Sequence, residues 1–343
     1  MNKVYQQFSF FRTTVVQPLK KVYQPFSFFQ TTVNPLERWL DGYDKYIRDT
    51  RGLSENTRRI YNSDVKTFGE YLNEESRDFK SLDRKMLIHY QAWLIEQAGY
   101  KRISVSRKTT ALRSFYNYLR WSGELDFQNN PVSKGFRVGR KALPKPLNLT
   151  EVNRLLYAPE EDSPLHIRDR AILEILYSCG LRLSEIQQVT LEDINLPSKE
   201  ILIRHGKGND KQRFVLFGEP ASQALKNYLE SARPKIIAEA RLRKTVSETT
   251  ALFINHSGKP LSGRSIQKIV TKYSERAGLT KGTHTHTLRH TFATHMLEGE
   301  ADLRIIQELM GHASPVTTGV YTSLTKQEAR KAYFAHHPKA KIE

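Results

Sequence analysis

The chain has 343 residues, enough for two domains that each bury a hydrophobic core. Its 38% hydrophobic and 26% charged residues are typical of a globular protein, and no apolar run is long enough to span a bilayer. The 54 Lys and Arg residues exceed the 36 Asp and Glu residues, and the formal charge of +18 favours a polyanionic partner, most often nucleic acid. The single cysteine, Cys179, excludes an internal disulfide and a zinc site built from several thiolates.

A duplicated segment opens the chain. Residues 3–15 recur as residues 21–33, and 11 of the 13 aligned residues are identical. Two copies are too few for a repeat fold, and the segment lacks the continuous apolar stretch of a secretory signal. We interpret residues 1–35 as an N-terminal extension.

Residues 36–133 have the pattern of a small four-helix domain. The predicted helices begin near Leu36, at Ser54, after Ser81 and at Ser104, and each carries apolar residues at helical spacing. Basic residues concentrate near the start of the second helix and along the fourth. Free amides and the helix dipole favour phosphates at a helix start, so we predict DNA contacts there, with a solvated basic face as the alternative. The predicted DNA-binding residues are Arg58, Arg59, Arg102, Arg107, Lys108 and Arg113.

The second domain is predicted over residues 147–343, after a basic linker at 134–146 that carries two prolines and two glycines. We expect it to be mostly helical with a small antiparallel β-sheet. Strand-like segments at 201–205 and 213–217 flank a hairpin. Thr150 is predicted to cap the domain's first helix. Further helices are predicted at 220–242, 263–277, 287–298 and 303–310, and Gly311 is predicted to end the helix 303–310. A last helix is predicted to reach about Phe334.

Three short runs near the C-terminus, 286–290, 310–312 and 320–322, carry the chemistry. Breaking a DNA strand with a hydroxyl nucleophile requires an activated oxygen, positive charge on the phosphate oxygens and a proton for the leaving oxygen. Arginine suits the second task, and histidine or lysine can move protons. The runs supply His286, Arg289, His312 and Tyr321, a set that can attack a phosphodiester without a metal.

The combination His286-x-x-Arg289, Gly311-His312 and Tyr321 resembles the C-terminal signature of the tyrosine recombinase (phage integrase) family. The run 179–185 resembles that family's first arginine box and provides Arg182, and the run 206–209 resembles its β-hairpin lysine motif and provides Lys207. The similarity extends over residues 36–338, and the runs 130–131 and 335–338 resemble the Xer subgroup. It implies a mainly α fold with a small antiparallel β-sheet, in which an N-terminal four-helix core-binding domain precedes a C-terminal catalytic domain.

The resemblance also implies a mechanism. Tyr321 attacks the scissile phosphate, forms a 3′-phosphotyrosyl intermediate and releases a 5′-hydroxyl that later rejoins. Arg182, Arg289 and His312 stabilise the charge on the phosphate, His286 accepts the tyrosine proton, and Lys207 protonates the leaving oxygen. No metal, ATP or other cofactor is required. Glu185 either braces Arg182 or forms an exposed salt bridge with it.

The implied partner is double-stranded DNA that carries a specific recombination site, bound by a homo- or hetero-tetramer on two duplexes, with an accessory regulator and no membrane. The implied location is the cytoplasm, at the nucleoid. Chromosome-dimer resolution is the first expectation, and integration or excision of a phage or mobile element is the alternative. In the family the final helix docks on a neighbouring subunit, and Ala329, Ala332, Tyr333 and Phe334 fit either such docking or packing on their own domain.

Two other classes of function compete. His284, His286, His290 and His295 suggest a zinc hydrolase, and His286 and His290 have the i, i+4 spacing of a metal-binding helix. However, no glutamate follows His286 to act as the base of such a hydrolase. A DNA-binding protein without activity is the other alternative, against which all six catalytic positions carry competent residue types.

Overall fold

The computed structural model describes residues 35–125, 130–133, 135, 136, 138, 145–160, 163–204, 212–245, 248–279, 282–311 and 326–340. Within these ranges the fold is mainly helical with one small antiparallel sheet, which confirms the predicted fold class. The duplicated extension and the predicted hairpin lie outside the described residues. No helix in the described ranges is long and apolar enough to cross a membrane.

Four helices form the N-terminal domain: α1 Pro35–Asp49, α2 Glu55–Glu74, α3 Arg84–Glu96 and α4 Arg102–Trp121. Ser54 caps α2 as predicted, because its hydroxyl accepts the amide hydrogen of Thr57. As predicted, α3 begins after Ser81. Asp83 caps α3 by accepting from the amide of Met86 at 2.7 Å, whereas Ser81 ends a short 3₁₀ turn.

Aromatic rings dominate the core of this domain. Tyr43, Phe68, Tyr90 and Phe115 are fully buried. Phe68 meets Tyr90 edge to face with ring centroids 4.8 Å apart, and Tyr43 meets Phe115 in the same way at 5.2 Å. Each such pair contributes about 0.5–1.5 kcal/mol beyond the burial of its surface. These rings join α1, α2, α3 and α4, so they fix the helices that carry the basic residues.

The C-terminal domain contains nine described helices and the sheet. The helices are α5 Leu149–Leu156, α6 Pro164–Cys179, α7 Leu183–Gln188, α8 Glu219–Asn227, α9 Arg233–Leu242, α10 Gly263–Arg276, α11 Thr285–Glu298, α12 Leu303–Met310 and α13 Lys326–His336. The strands are β1 Ile194–Asn195, β2 Glu200–Ile203 and β3 Arg213–Leu216, paired antiparallel in chain order.

Helix α6 lies at the centre of this domain, and the sequence analysis assigned no helix there. Its second half, Ala171–Cys179, is buried throughout, so the run has no polar face and no amphipathic period. Thr150 is not the cap of α5. The cap is Asn148, two residues earlier, which forms a reciprocal capping box with Glu151: each side chain accepts a hydrogen bond from the other residue's backbone amide at 2.8 Å.

The predicted helix 220–242 is continuous, with a π-helical turn, Tyr228–Ala232, between α8 and α9. In this turn the amide of Arg233 bonds to the carbonyl of Tyr228, five residues back. Pro234 follows within the first turn of α9, where its missing amide hydrogen costs little. The helix therefore continues through Pro234 by way of the wider π-helical turn that precedes it.

Helix α13 packs on its own domain, one of the two alternatives that the sequence left open. Tyr333 is fully buried and lies in a cluster with Phe292 and Met296 of α11. Lys326 at the start of α13 forms an ion pair with Glu200 of β2 at 2.6 Å. Helix α13 is thus held by packing in this apolar cluster and by an ion pair with the sheet.

Candidate active site

Arg182 stands in the connection between α6 and α7. Gly180 ends α6 in the left-handed conformation, with φ +57°. A Cβ there would lie 2.4 Å from the ring of Phe292, so only glycine fits this turn. The turn brings Arg182 to the start of α7, where its amide donates to Glu185 Oε2 at 2.8 Å. The side chain of Arg182 is 26% exposed, so the guanidinium remains accessible from solvent.

Arg289 comes from the middle of α11 and is almost entirely buried, with 4% of its side chain exposed. Its guanidinium donates to the carbonyl of Gly180 at 2.7 Å and to the carbonyl of Met310 at 2.6 Å. The two arginines that the family signature singled out are therefore brought together by the end of α6.

Glu185 is the shared partner of this cluster, and its side chain is only 1% exposed. Its Oε1 accepts from Arg182 at 2.8 Å, and Arg289 Nη1 lies 3.8 Å from Oε2. Burial raises the pKa of Glu185, but hydrogen bonds and charge from Arg213 and Arg182 outweigh burial and hold that pKa below its usual value. Of the two expectations for Glu185, the structure shows the brace and not an exposed salt bridge.

Arg213, at the start of β3, is a member of the cluster that the sequence analysis missed. It donates to both oxygens of Glu185 at 3.0 Å, in the two-pronged geometry that suits a guanidinium and a carboxylate. One signal could have revealed it. Arg213 shares a strand face with the buried Val215, and a charged residue on an inward face needs a buried partner.

The end of α12 completes the arrangement. Gly311 is left-handed, with φ +63°, and ends the helix as predicted. Three successive carbonyls there accept hydrogen bonds from three different arginines: Leu309 from Arg213 at 3.1 Å, Met310 from Arg289 at 2.6 Å, and Gly311 from Arg182 at 2.7 Å. Cations are favourable at a helix C-terminus, where unpaired carbonyls concentrate negative partial charge.

The cluster has the electrostatics of an anion site. Three guanidinium groups surround one ionised carboxylate, which leaves an excess of two positive charges. Guanidinium groups keep their charge at every pH the protein meets. A phosphate that approached the exposed part of Arg182 would meet this excess charge with much of the surrounding water already excluded.

His286 lies one helical turn before Arg289 on α11, and its side chain is exposed. Partial burial, followed by the charges of His284, Arg289 and His290, lowers the pKa of His286 below the usual 6.5. The imidazole is therefore predominantly neutral at pH 7 and can accept a proton. Lys207, His312 and Tyr321 lie outside the described residues, and their predicted roles stay predictions.

Two of the other histidines at α11, His284 and His295, have structural partners. His284 caps the helix, because its Nδ1 accepts from the amide of Thr287 at 3.2 Å. His295 is buried, and its Nδ1 lies 2.9 Å from the hydroxyl of Tyr177. Among the residues with described side chains, no three His, Cys, Asp or Glu groups come together in a way that could hold a metal ion. The zinc alternative thus gains no support from the described part of the chain.

The six basic residues predicted to contact DNA divide into two groups. Arg59, Arg102 and Arg107 are exposed on α2 and α4, although Arg107 also pairs with Asp64. The other three are at least partly buried: Arg58 pairs with Asp44, Arg113 donates to the carbonyl of Val132 at 2.9 Å, and Lys108 lies 3.1 Å from Asp64.

Lys108 requires a correction. Its side chain is 3% exposed and its ammonium group bonds to Asp64 and to Thr67, both at 3.1 Å. Charge alone suggested a phosphate contact, but the position faces the core between α2 and α4. A buried ammonium must be paired with a nearby carboxylate, and that pairing rather than DNA explains Lys108.

Two family profiles match this chain, one over each of its two domains. The profile of the phage integrase family matches residues 145–328, and that of the phage integrase N-terminal SAM-like domain matches residues 40–123. Tyrosine recombinase XerC of Oceanobacillus iheyensis is 39% identical over 310 residues, which cover 90% of this chain and 98% of that protein. This chain belongs to the phage integrase family of tyrosine recombinases.

Other recombinases match this chain over most of its length. Tyrosine recombinase XerD of Listeria monocytogenes is 38% identical over 294 residues, covering 84% of this chain and 95% of that protein. A crystal structure of XerH recombinase bound to a palindromic difH substrate, in a post-cleavage complex, matches with a TM-score of 0.60 at 23% identity and covers 88% of this chain and 96% of that one. The Tn1549 transposon integrase in complex with circular intermediate DNA matches with a TM-score of 0.61 at 19% identity, covering 85% and 98%. At these identities the structural likeness concerns the recombinase fold.

Proposed function

We propose that this tyrosine recombinase cleaves and rejoins double-stranded DNA at a specific site through a covalent 3′-phosphotyrosyl link to Tyr321. The observation that carries the proposal is the buried arginine cluster. Arg182 and Arg289 donate to adjacent carbonyls at the end of α12, and Glu185 keeps both in place. Such a preorganised positive site stabilises a pentacoordinate phosphate without a metal.

Each remaining group has one role in this proposal. His286 accepts the proton of Tyr321, for which its lowered pKa suits it. His312 shares the phosphate oxygens with the two arginines, and Lys207 protonates the leaving 5′-oxygen. The reaction balances without a cofactor, since the phosphodiester energy is retained in the phosphotyrosyl bond until the 5′-hydroxyl of the partner strand attacks it.

The biological role that we propose is Xer-type resolution of chromosome dimers. Relatives named XerC and XerD at 39% and 38% identity support it, as does the length over which they match. The working form would be a tetramer on two duplexes at the nucleoid, made of this chain alone or with a second recombinase, and subject to an accessory regulator. Arg59, Arg102 and Arg107 would contribute phosphate contacts from the N-terminal domain.

A nicked suicide substrate tests the chemistry. The DNA is a fragment that the protein selects from a random library, mapped by footprinting and nicked beside the cleavage position so that the 5′-hydroxyl diffuses away. We expect a covalent protein–DNA adduct with the wild type and none with Tyr321→Phe. Tyr157→Phe, which alters an exposed tyrosine of the same domain, is the matched control and should form the adduct. An adduct that persists in Tyr321→Phe would show that another residue is the nucleophile.

A further inference from the structure

Arg213 differs from the other two arginines in what it leaves exposed. Its side chain is 11% exposed, against 26% for Arg182. Nε bonds to the carbonyl of Leu309, and Nη1 and Nη2 bond to the two oxygens of Glu185. Each nitrogen of the guanidinium thus has a protein partner, so the group is built into the scaffold.

The partners of Arg213 are themselves the supports of the site. Glu185 orients Arg182 through Oε1 at 2.8 Å and lies beside Arg289. The two-pronged contact from Arg213 fixes the plane of that carboxylate, because both of its oxygens are held from the same side. A rotation of Glu185 would therefore move the hydrogen-bond acceptor of Arg182.

Arg213 also supports the turn that precedes His312. It holds the carbonyl of Leu309, and its guanidinium carbon lies 2.8 Å from where a Cβ of Gly311 would be. The left-handed Gly311 therefore rests directly on Arg213. Arg213 is the first residue of β3 and follows Lys207 by six positions in the sequence.

We infer that Arg213 is a positioning residue of this active site, which acts through Glu185 and the end of α12 and does not touch the phosphate. This inference rests on the proposed function. Its physical basis is that catalysis by electrostatic preorganisation depends on the placement of the charged groups, and a displacement of about 1 Å can reduce a rate about 100-fold. A single guanidinium would then link both proposed phosphate-binding arginines and the turn at Gly311 to β3.

The test measures single-turnover cleavage of the suicide substrate across a range of protein concentrations, which separates the maximal rate from the affinity for DNA. For Arg213→Gln we expect the maximal rate to fall about 100-fold while the half-saturating concentration changes less than about threefold. Arg213→Lys keeps the charge but cannot hold both oxygens of Glu185, so we expect a comparable loss of rate. If Arg213→Gln does not fold, the lysine variant carries the test.

Arg233→Gln is the matched control. Arg233 is a half-buried arginine of the same domain that donates to the carbonyls of Thr249 and Ala251. Its loss should lower the denaturant midpoint without changing the rate per folded molecule. A double-mutant cycle adds a second readout. Because Arg213 acts partly through Glu185, the loss of rate in Arg213→Gln combined with Glu185→Gln should be smaller than the product of the two single losses.

Four outcomes would overturn the inference. They are a wild-type maximal rate in folded Arg213→Gln, full rescue by lysine, a loss confined to DNA affinity, and multiplicative losses in the double variant. None of them touches the proposed function, which depends on whether the wild type forms a Tyr321-dependent adduct. Absence of that adduct would refute the proposed function, and with it the role of Arg213 that depends on it.

Discussion

Replacement of His337 tests how α13 is held on its domain, through the dependence of stability on pH. His337 follows α13 directly and is buried against three rings, with its own ring stacked on Tyr333 at 5.0 Å and the rings of Tyr177 and Phe292 nearby. Its Nδ1 accepts from the amide of Lys339 at 3.1 Å, whereas its Nε2 is buried with no partner among the described residues. An imidazolium in this position would be a poorly solvated charge.

Burial first, and then the charges of His295 and Lys339, lowers the pKa of His337 from 6.5 to about 3. Because the folded pKa lies below the unfolded pKa, the unfolded chain takes up the proton first as the pH falls. The contribution of His337 to stability is therefore complete above pH 6.5 and is lost as the pH falls toward 3. Between pH 7 and pH 5 the loss is about 2 kcal/mol, and by pH 3 it reaches about 4 kcal/mol.

Urea unfolding followed by circular dichroism at pH 7, 6 and 5 measures this loss. His337→Phe keeps the ring stack, removes the titrating group and forfeits one hydrogen bond, which costs about 1 kcal/mol at every pH. The free energy of unfolding of the wild type should fall between pH 7 and pH 5 by about 2 kcal/mol more than that of the variant. His256→Asn, at an exposed histidine, controls for the loss of one imidazole. Parallel profiles for the wild type and His337→Phe would refute the argument.

Three further predictions concern catalysis and DNA binding. If His286 is the base, the rate of cleavage at sub-saturating DNA should stay constant from pH 8 down to about 6.5 and fall only below the lowered pKa of His286. The His286→Asn variant should cleave slowly and should not show this fall in rate at low pH. If the variant shows the same fall, another group is responsible for the titration. Lys108→Met should lower the free energy of unfolding but leave DNA affinity unchanged. Arg59→Ala, at an exposed arginine, should weaken DNA binding and reduce the slope of log affinity against log salt concentration by about one. The reverse pattern, measured by filter binding, would indicate that Lys108 contacts DNA. EDTA should leave adduct formation unchanged, and inhibition that zinc reverses would favour the metal alternative.

The residues predicted correctly from the sequence are those whose structure is decided locally. Ser54 caps α2 because its side chain reaches an amide three residues ahead. Gly311 ends α12 because the chain must turn through a left-handed conformation there. The prediction of Arg182 and Arg289 also rests on local patterns, since each motif lies within a few residues of its arginine, and their catalytic role stays a prediction.

The two missed side-chain environments, those of Lys108 and Arg213, depend on partners that are distant in sequence. Lys108 has a buried counterion 44 positions earlier, at Asp64, so its charge pattern on α4 gave no sign that it faces inward. Arg213 binds Glu185, 28 positions earlier, and Leu309, 96 positions later. Helix α6 was missed in the sequence for a different reason: a helix that is buried on all sides has no amphipathic period to detect.

The same long-range pairing explains how so many arginines can meet at one point in a stable fold. Burying three guanidinium groups together is unfavourable unless each finds negative charge or oriented dipoles nearby. Glu185 supplies the charge, and the carbonyls of Leu309, Met310 and Gly311 at the end of α12 supply the dipoles, one to each arginine. Only part of the positive charge is neutralised in this way, because a single carboxylate faces three cations. In the proposed function a phosphate would neutralise the remainder, so the same scaffold that stabilises the buried arginines also leaves the site with a net positive charge.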